Sequence, residues 1–133
     1  MLLTKESDYS LRIMRVLSDE KVKTVKHISE HEHIPYKYAY KILKKLQKAG
    51  LVQNKFGPGG GYVLVKPLSS INMYDVVSAA DENLFLFECL QKEKQCPNNS
   101  NETLCKVHIE LDRLQNLLVD GMKAKSMEDV LFN

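Results

Sequence analysis

The chain has 133 residues, 44% of them hydrophobic, and a formal net charge of only +2. That length suits one domain with a dimerising extension, and the apolar content supports a packed core rather than disorder. Lys5 and Glu6 interrupt the N-terminus before any apolar leader forms, and no apolar run approaches membrane-spanning length. A cytoplasmic protein is expected, with no membrane partner. Its three cysteines, an odd number in a reducing compartment, do not read as a disulfide framework.

The distribution of charge says more than its sum. From His33 to Tyr74 there is no Asp or Glu, but there are seven lysines: Lys37, Lys41, Lys44, Lys45, Lys48, Lys55 and Lys66. This local +7 leaves −5 for the rest of the chain. A concentrated basic segment on a near-neutral chain is the electrostatic footprint of a polyanion binder. The plainer alternative is a solvated lysine face on an ordinary helix.

In chain order, residues 4–17 read as a helix, with Tyr9, Ile13, Met14 and Leu17 on one face. Thr24 is placed to cap a short helix to about Glu30, with Val25 and Ile28 inward. After a turn at His31–His33, Pro35 suits the first position of a helix that runs to Ala49 and stops at Gly50. On it Ala39, Ile42, Leu43 and Leu46 form an i, i+3, i+4, i+7 stripe. Lys37, Lys41, Lys44 and Lys48 fall opposite, with Tyr36 and Tyr40 on one flank. Residues 51–56 and 62–65 are strand-like around the turn Gly57-Pro58-Gly59-Gly60-Gly61, which predicts a hairpin. Helix, short helix, turn, basic helix and hairpin, in that order, make a winged helix-turn-helix, whose second helix enters the major groove.

Asn72 and Asp75 predict a capping pair for a further helix carrying Met73, Val76, Val77 and Ala80. Residues 81–102 are polar and hold Cys89 and Cys96. From Thr103 a longer helix is expected, with Leu104, Val107, Leu111, Leu114 and Leu118 forming a coiled-coil-like dimer seam. Ser126 is placed to cap a last turn. The expected fold is therefore mostly α with a small β-hairpin wing: a winged helix-turn-helix over 1–80, a loop over 81–102, and a dimerisation helix with its tail over 103–133.

Cys89, Cys96 and Cys105 form a C-x6-C-x8-C array, with His108 one helical turn after the last. Thiolates select zinc, Cu(I) or iron–sulfur clusters. Zinc sites more often show close C-x2-4-C pairs, so these gaps suit a larger cluster better than one tetrahedral ion. Three unrelated cysteines remain the plain alternative. GPGGG is not a phosphate-binding loop, because no Gly-Lys-Ser/Thr follows and it joins two strands. Its glycines instead let a wing tip approach a backbone closely. His27 and His31, an i, i+4 pair, belong to a polar turn, and no catalytic set is present; an enzyme is not expected.

The segment from Ile34 to Tyr62, IPYKYAYKILKKLQKAGLVQNKFGPGGGY, resembles the Rrf-two family of bacterial winged-helix regulators. AGLV followed by GPGGGY is close to diagnostic of that family. The likeness extends to the opening LTKESDYSLRIM, the INMYDVVSAAD helix and the three-cysteine loop, and so covers nearly the whole chain. It implies a homodimer joined along the long helix, with two winged domains on a palindromic double-stranded DNA site. It also implies an iron–sulfur cluster held by Cys89, Cys96 and Cys105. The expected function is a cluster-dependent DNA-binding transcription regulator, a repressor sensing redox, nitric oxide or iron–sulfur status. The alternatives are a cluster-free regulator controlled by a protein or small-molecule partner, and a zinc-stabilised DNA-binding protein.

Tyr36, Lys37, Tyr40 and Lys41 are then expected nearest the bases. Arg12, Lys44 and Lys55 are expected on phosphates, and Gly57, Gly59 and Gly60 at the wing tip. Three cysteines leave a fourth ligand to find. SDYSLR resembles the nitric-oxide-sensing branch, which implies Asp8 and a 4Fe-4S cluster shared across the dimer. The C-x2-H pattern resembles the assembly-regulator branch, which implies His108 and a 2Fe-2S cluster; Asp8 is preferred. The chain departs from the family in three places. Its cysteine gaps are longer than the commonest spacing. Phe56, beside Lys55, stands where several members carry a minor-groove arginine. Tyr40 stands where assembly regulators often carry an acid, which implies a different target sequence.

Overall fold

The computed structural model describes residues 3–91, 94, 96–99 and 104–133. Helix α1, Lys5–Val16, starts where the Thr4 hydroxyl accepts the Ser7 amide. Glu6 and Asp8 lie in its first turn and Arg15 in its last, which complements the helix dipole. Its inward face buries Tyr9, Ile13 and Met14, and Leu17 follows in a 3-10 turn, Leu17–Asp19. Helix α2, Val25–Glu32, is capped by Thr24 and ends at His33, whose φ of 53° turns the chain back.

Helix α3, Tyr36–Lys48, buries Ala39, Ile42, Leu43 and Leu46, the stripe expected of it. Pro35 is the capping residue, with ψ 135°, rather than the first helical one. Its ring fixes φ and leaves ψ free to stay extended. Strands β1, Val52–Lys55, and β2, Gly61–Leu64, pair antiparallel, Val52 opposite Leu64 and Lys55 opposite Gly61. β1 is shorter than its sequence suggests, and β2 keeps the expected length but begins one residue earlier. Leu51 is drawn inward, its amide bonded to the Leu46 carbonyl at the end of α3, and Phe56 lies past the last pair. Helix α4, Met73–Ala80, has the capping box read from Asn72 and Asp75.

One apolar core joins α1–α4, the hairpin through Val52 and Tyr62, and Met127 of the last helix, α6, Met127–Phe132. The chain's end thus returns to the winged domain, where the Met127 amide donates to the Ile71 carbonyl at 2.6 Å. The long helix, α5, Lys106–Lys123, begins later than expected, and residues 100–103, which include the anticipated start at Thr103, lie outside the described residues. The predicted seam is also rephased. Leu104 precedes the helix, and Leu118 turns inward to pack with Val77 and Leu84. Gln115 and Met122 mark the buried side. At about 100° per residue the outward apolar stripe is therefore Val107, Leu114, Leu117 and Gly121.

Candidate nucleic-acid interface and cysteine segment

The core stripe of α3 leaves its opposite face to solvent. Tyr36, Lys37, Tyr40, Lys41, Lys44 and Lys48 are all exposed there. The structure gathers these residues on one basic face with tyrosines beside it, and the hairpin stands next to it. Lys44 lies over the Tyr40 ring, its ammonium 5.2 Å from the centroid. Beneath, the Tyr62 hydroxyl is buried with no hydrogen-bond partner. Tyr62, and Tyr40 beside it, hold the Lys44 ammonium above the usual lysine value.

Glu6 of α1 enters this face, and sequence reasoning missed it. Its carboxylate takes Lys41 at 2.8 Å and Lys45 at 2.7 Å, and Lys45 also donates to the Ala80 carbonyl. Those two hydrogen bonds hold the Glu6 carboxyl below the usual range and raise Lys41. Two of the seven lysines are thus partly neutralised. Lys37, Lys44, Lys48 and Lys55 make no ion pair among the described residues. No local pattern announces Glu6, because its partners lie 35 and 39 residues away.

The wing is a tightly built turn. Gly57 and Gly59 have φ of 93° and 75°, which β-carbon-bearing residues rarely adopt, and the Gly60 amide donates to the Gly57 carbonyl. A β-carbon on Gly60 would stand 2.1 Å from the Lys55 carbonyl oxygen. Lys23 and Tyr62 exchange backbone hydrogen bonds of 2.9 and 2.7 Å, which clamps the hairpin to the segment before α2.

Arg12 is not part of the α3 face. Its guanidinium bonds Asp8 at 2.9 Å, donates to the Glu32 carbonyl and lies over the Tyr9 ring. Asp8, Arg12, Arg15, Met73 and Met127 line an open cleft of about 350 Å³ between α1, α4 and α6. The neighbouring Arg15 pairs with Glu32, whose carboxyl is buried. Burial pushes that carboxyl up, but Arg15 and His31 outweigh it and hold it below the usual range.

The three thiols are free and half-buried on three different features. Cys89 lies in a 3-10 turn, Glu88–Leu90. Cys96 is bridged to Asn99, and Cys105 caps α5, its Sγ accepting the His108 amide at 3.4 Å. Of the loop expected over 81–102, residues 92, 93, 95 and 100–102 lie outside the described residues. The described part is anchored by Gln115, which accepts the Leu86 amide at 2.8 Å and donates to the Leu84 carbonyl at 2.7 Å.

Among the described residues, no three His, Cys, Asp or Glu side chains stand close enough to hold one metal ion. The donor chemistry nevertheless fits a thiolate-held cluster. Cys105 sits at the N-terminus of α5, its sulfur accepting the His108 amide. The Nδ1 atom of His108, one turn on, is buried without a partner. Asp8, by contrast, is exposed and already ion-paired.

A basic helix at the end of a helix-turn-helix, flanked by a glycine-tipped hairpin, defines a winged-helix DNA-binding regulator. A family model described as Rrf2, iron-dependent transcriptional regulator, matches residues 3–133, and the chain belongs to that family. It is 35% identical over 96 residues to the transcriptional regulator NsrR of Shouchella clausii, covering 70% of this chain and 64% of that one. It is 29% identical over 136 residues to the regulator IscR of Photorhabdus laumondii, covering 100% and 80%. Among solved structures, CymR, the global cysteine regulator of B. subtilis, superposes with a TM-score of 0.76 at 21% identity, over 98% and 96% of the two chains. That likeness shows the shared fold. The family and its named relatives are regulators, not enzymes, as expected from the lack of a catalytic set. No helix among the described residues is long and apolar enough to cross a membrane.

Proposed function

We propose that the chain acts as a homodimer that represses transcription from a palindromic site, with an iron–sulfur cluster held by Cys89, Cys96 and Cys105 governing its DNA affinity. The single observation that carries the cluster reading is the start of α5. Cys105 caps the helix, and a buried, unpartnered imidazole nitrogen lies one turn further on. When bound, the cluster supplies a centre that reacts with oxidants and nitric oxide.

The chain's own residues do the rest. Ligation at Cys105 fixes the first turn of α5, and α5 carries the outward stripe that joins the two copies. The spacing between the two α3 helices then depends on how α5 is held, which gives a two-state element with different DNA affinity. Tyr36, Lys37, Tyr40 and Lys41 meet base edges. Lys44 and Lys55 meet phosphates, and Gly57, Gly59 and Gly60 bring the wing close to the duplex. Arg12 contacts phosphate only if it leaves Asp8.

The fourth ligand is His108 or Asp8 of the partner subunit, and the orphaned nitrogen favours His108. Cluster spectra of Asp8→Ala and His108→Ala, prepared in parallel, decide between them. Anaerobic reconstitution with iron and sulfide counted per chain tests the whole reading. Cys96→Ser is expected to lose the cluster and the redox response of DNA binding; a full cluster in that variant overturns the three-cysteine assignment.

A second reading is a regulator that needs no cluster and answers to a protein or small molecule. It draws on the fact that the described thiols do not converge. Tight DNA binding unchanged by reconstitution, with no acid-labile sulfide, decides for it. In that case the cytoplasmic regulator keeps its DNA face and changes only its signal.

A further inference from the structure

Phe56 is the most exposed large apolar side chain among the described residues, at 88% of its full accessible area. It sits on the wing, directly after Lys55, the last paired residue of β1. We propose that Phe56 is a wedge: its ring enters the minor groove beside the α3 site and partly unstacks one base step, so that the DNA bends around the dimer. The proposal rests on the reading above, in which α3 and the wing meet DNA.

Three features of the wing support this role. First, the tip is fixed before DNA arrives. The Gly60 amide closes the turn onto the Gly57 carbonyl, and Gly60 has no room for a β-carbon against the Lys55 carbonyl. The second strand is pinned just after the turn by the paired hydrogen bonds of Lys23 and Tyr62. A wedge must be held rigidly, or the freedom it loses on insertion offsets its gain.

Second, the flank toward the turn is bare. Of the residues 57–61 that follow Phe56, only Pro58 carries a side chain beyond hydrogen. A narrow groove can therefore close on that side of the ring, with Lys55 on the other side free to meet a phosphate. Third, the wing is fixed beside the basic helix, since Val52 and Tyr62 pack in one core with Ile42, Leu43 and Leu46 of α3.

An exposed phenyl group on a water-facing surface gains nothing by itself. On a DNA-binding wing it can insert as an apolar wedge between base pairs, which kinks the duplex away from the groove it enters. Phe56 carries no charge, so its contribution is independent of salt. A lysine on a phosphate contributes through counterion release and changes the salt slope.

These properties define the test. A duplex selected by the wild-type protein from a random-sequence pool is labelled at both ends. Binding and end-to-end distance are followed by energy transfer, with 2-aminopurine at the contacted step, across a salt series. Phe56→Ala is expected to weaken binding about tenfold and to quench the 2-aminopurine signal, with no change in salt slope. It should also lower the bend by about 20° or more. Phe56→Trp is expected to keep both bend and affinity. Lys55→Ala is expected to lower the slope by about one while leaving the bend in place.

If Phe56→Ala binds and bends DNA like the wild type while Lys37→Ala/Lys41→Ala fails to bind, the wedge is overturned and the α3 reading stands. If both variants bind like the wild type, the reading of the DNA face falls and the wedge with it. An affinity loss in Phe56→Ala with the bend intact also overturns the wedge, since the ring would then only touch the surface of the groove.

Discussion

Between Lys5 and Ala80 the chain buries a continuous core, with Ile13, Met14, Leu17, Ile28, Ile42, Leu43, Leu46 and Val76 fully enclosed. From Glu82 to Leu118 the only described residues that are buried are Leu84 and Gln115. The two regions are ordered by different physics. The winged half is held by apolar packing, and the cysteine-bearing half by a few hydrogen bonds and a small apolar cluster in which Leu84, Leu86 and Leu118 pack against Val77 of the winged half. A half with so little packing of its own can change arrangement cheaply, whereas a close-packed core cannot. In the function proposed above, ligation of thiols on the loosely packed half would alter how α5 is held while α3 stays folded.

The largest effect that can break this contrast is a cavity in the winged half. Ile42→Ala removes three carbons from a fully buried site at the centre of α3. It is expected to cost about 2–5 kcal/mol, read as a lowered denaturant midpoint in equilibrium unfolding. Next is Gln115→Ala, which leaves the Leu86 amide and Leu84 carbonyl without their partner, at about 1–3 kcal/mol. Here the location matters more than the size. Exchange of the Leu86 amide should speed up while amides of α1 and α3 keep their protection. Loss of protection throughout would mean that the two regions unfold as one unit.

Acid should act on the winged half through Glu32. Its folded carboxyl lies below the ordinary glutamate value of 4.5, despite its burial, because Arg15 and His31 favour the charge. The folded state therefore binds this proton less readily than the unfolded chain. The stabilisation is complete above 4.5 and is lost as pH falls through the lower folded value. In melts taken from neutral pH downward, Glu32→Gln should be less stable than the wild type at neutrality, and the gap should close below pH 4.5. A gap that stays constant on acidification would show that Glu32 acts by packing and not by charge.

Much of the winged half was legible because its signals are local. Thr24, the Asn72–Asp75 box and Ser126 cap helices within three residues of themselves. The α3 stripe follows a single period, and the glycine turn needs only backbone angles. Other features depend on partners far along the chain. Glu6 meets Lys41 and Lys45 from 35 and 39 residues away, and Gln115 reaches the backbone 29 and 31 residues upstream. The docking of α6 at Ile71 is equally non-local. The side of α5 that packs on the body was not legible for another reason. The helix carries apolar residues on two adjacent faces, so periodicity selects a stripe but not which face meets the body. The proposed cluster ligands came from family resemblance, since widely spaced cysteines do not by themselves fix a ligand set.

The smallest expected effect on stability is also the most decisive for α5. Leu117 is large, apolar and exposed, and points away from the Gln115 and Met122 side that packs on the body. Within one chain it contributes almost nothing, so Leu117→Glu should change unfolding of the isolated chain by about 0.5 kcal/mol or less. In a dimer joined along Val107, Leu114 and Leu117, the same substitution sets two carboxylates against each other in an apolar seam, where unpaired charge is costly. Sedimentation should then show monomers. Binding to a palindromic duplex should fall much further than binding to a half-site, because the second α3 is no longer tethered. Leu118→Glu should do the reverse, because Leu118 packs with Val77 and Leu84. It should lower the stability of the chain itself before it changes association. If Leu118→Glu dissociates the dimer and Leu117→Glu leaves it intact, the outward face of α5 has been assigned one residue out of phase.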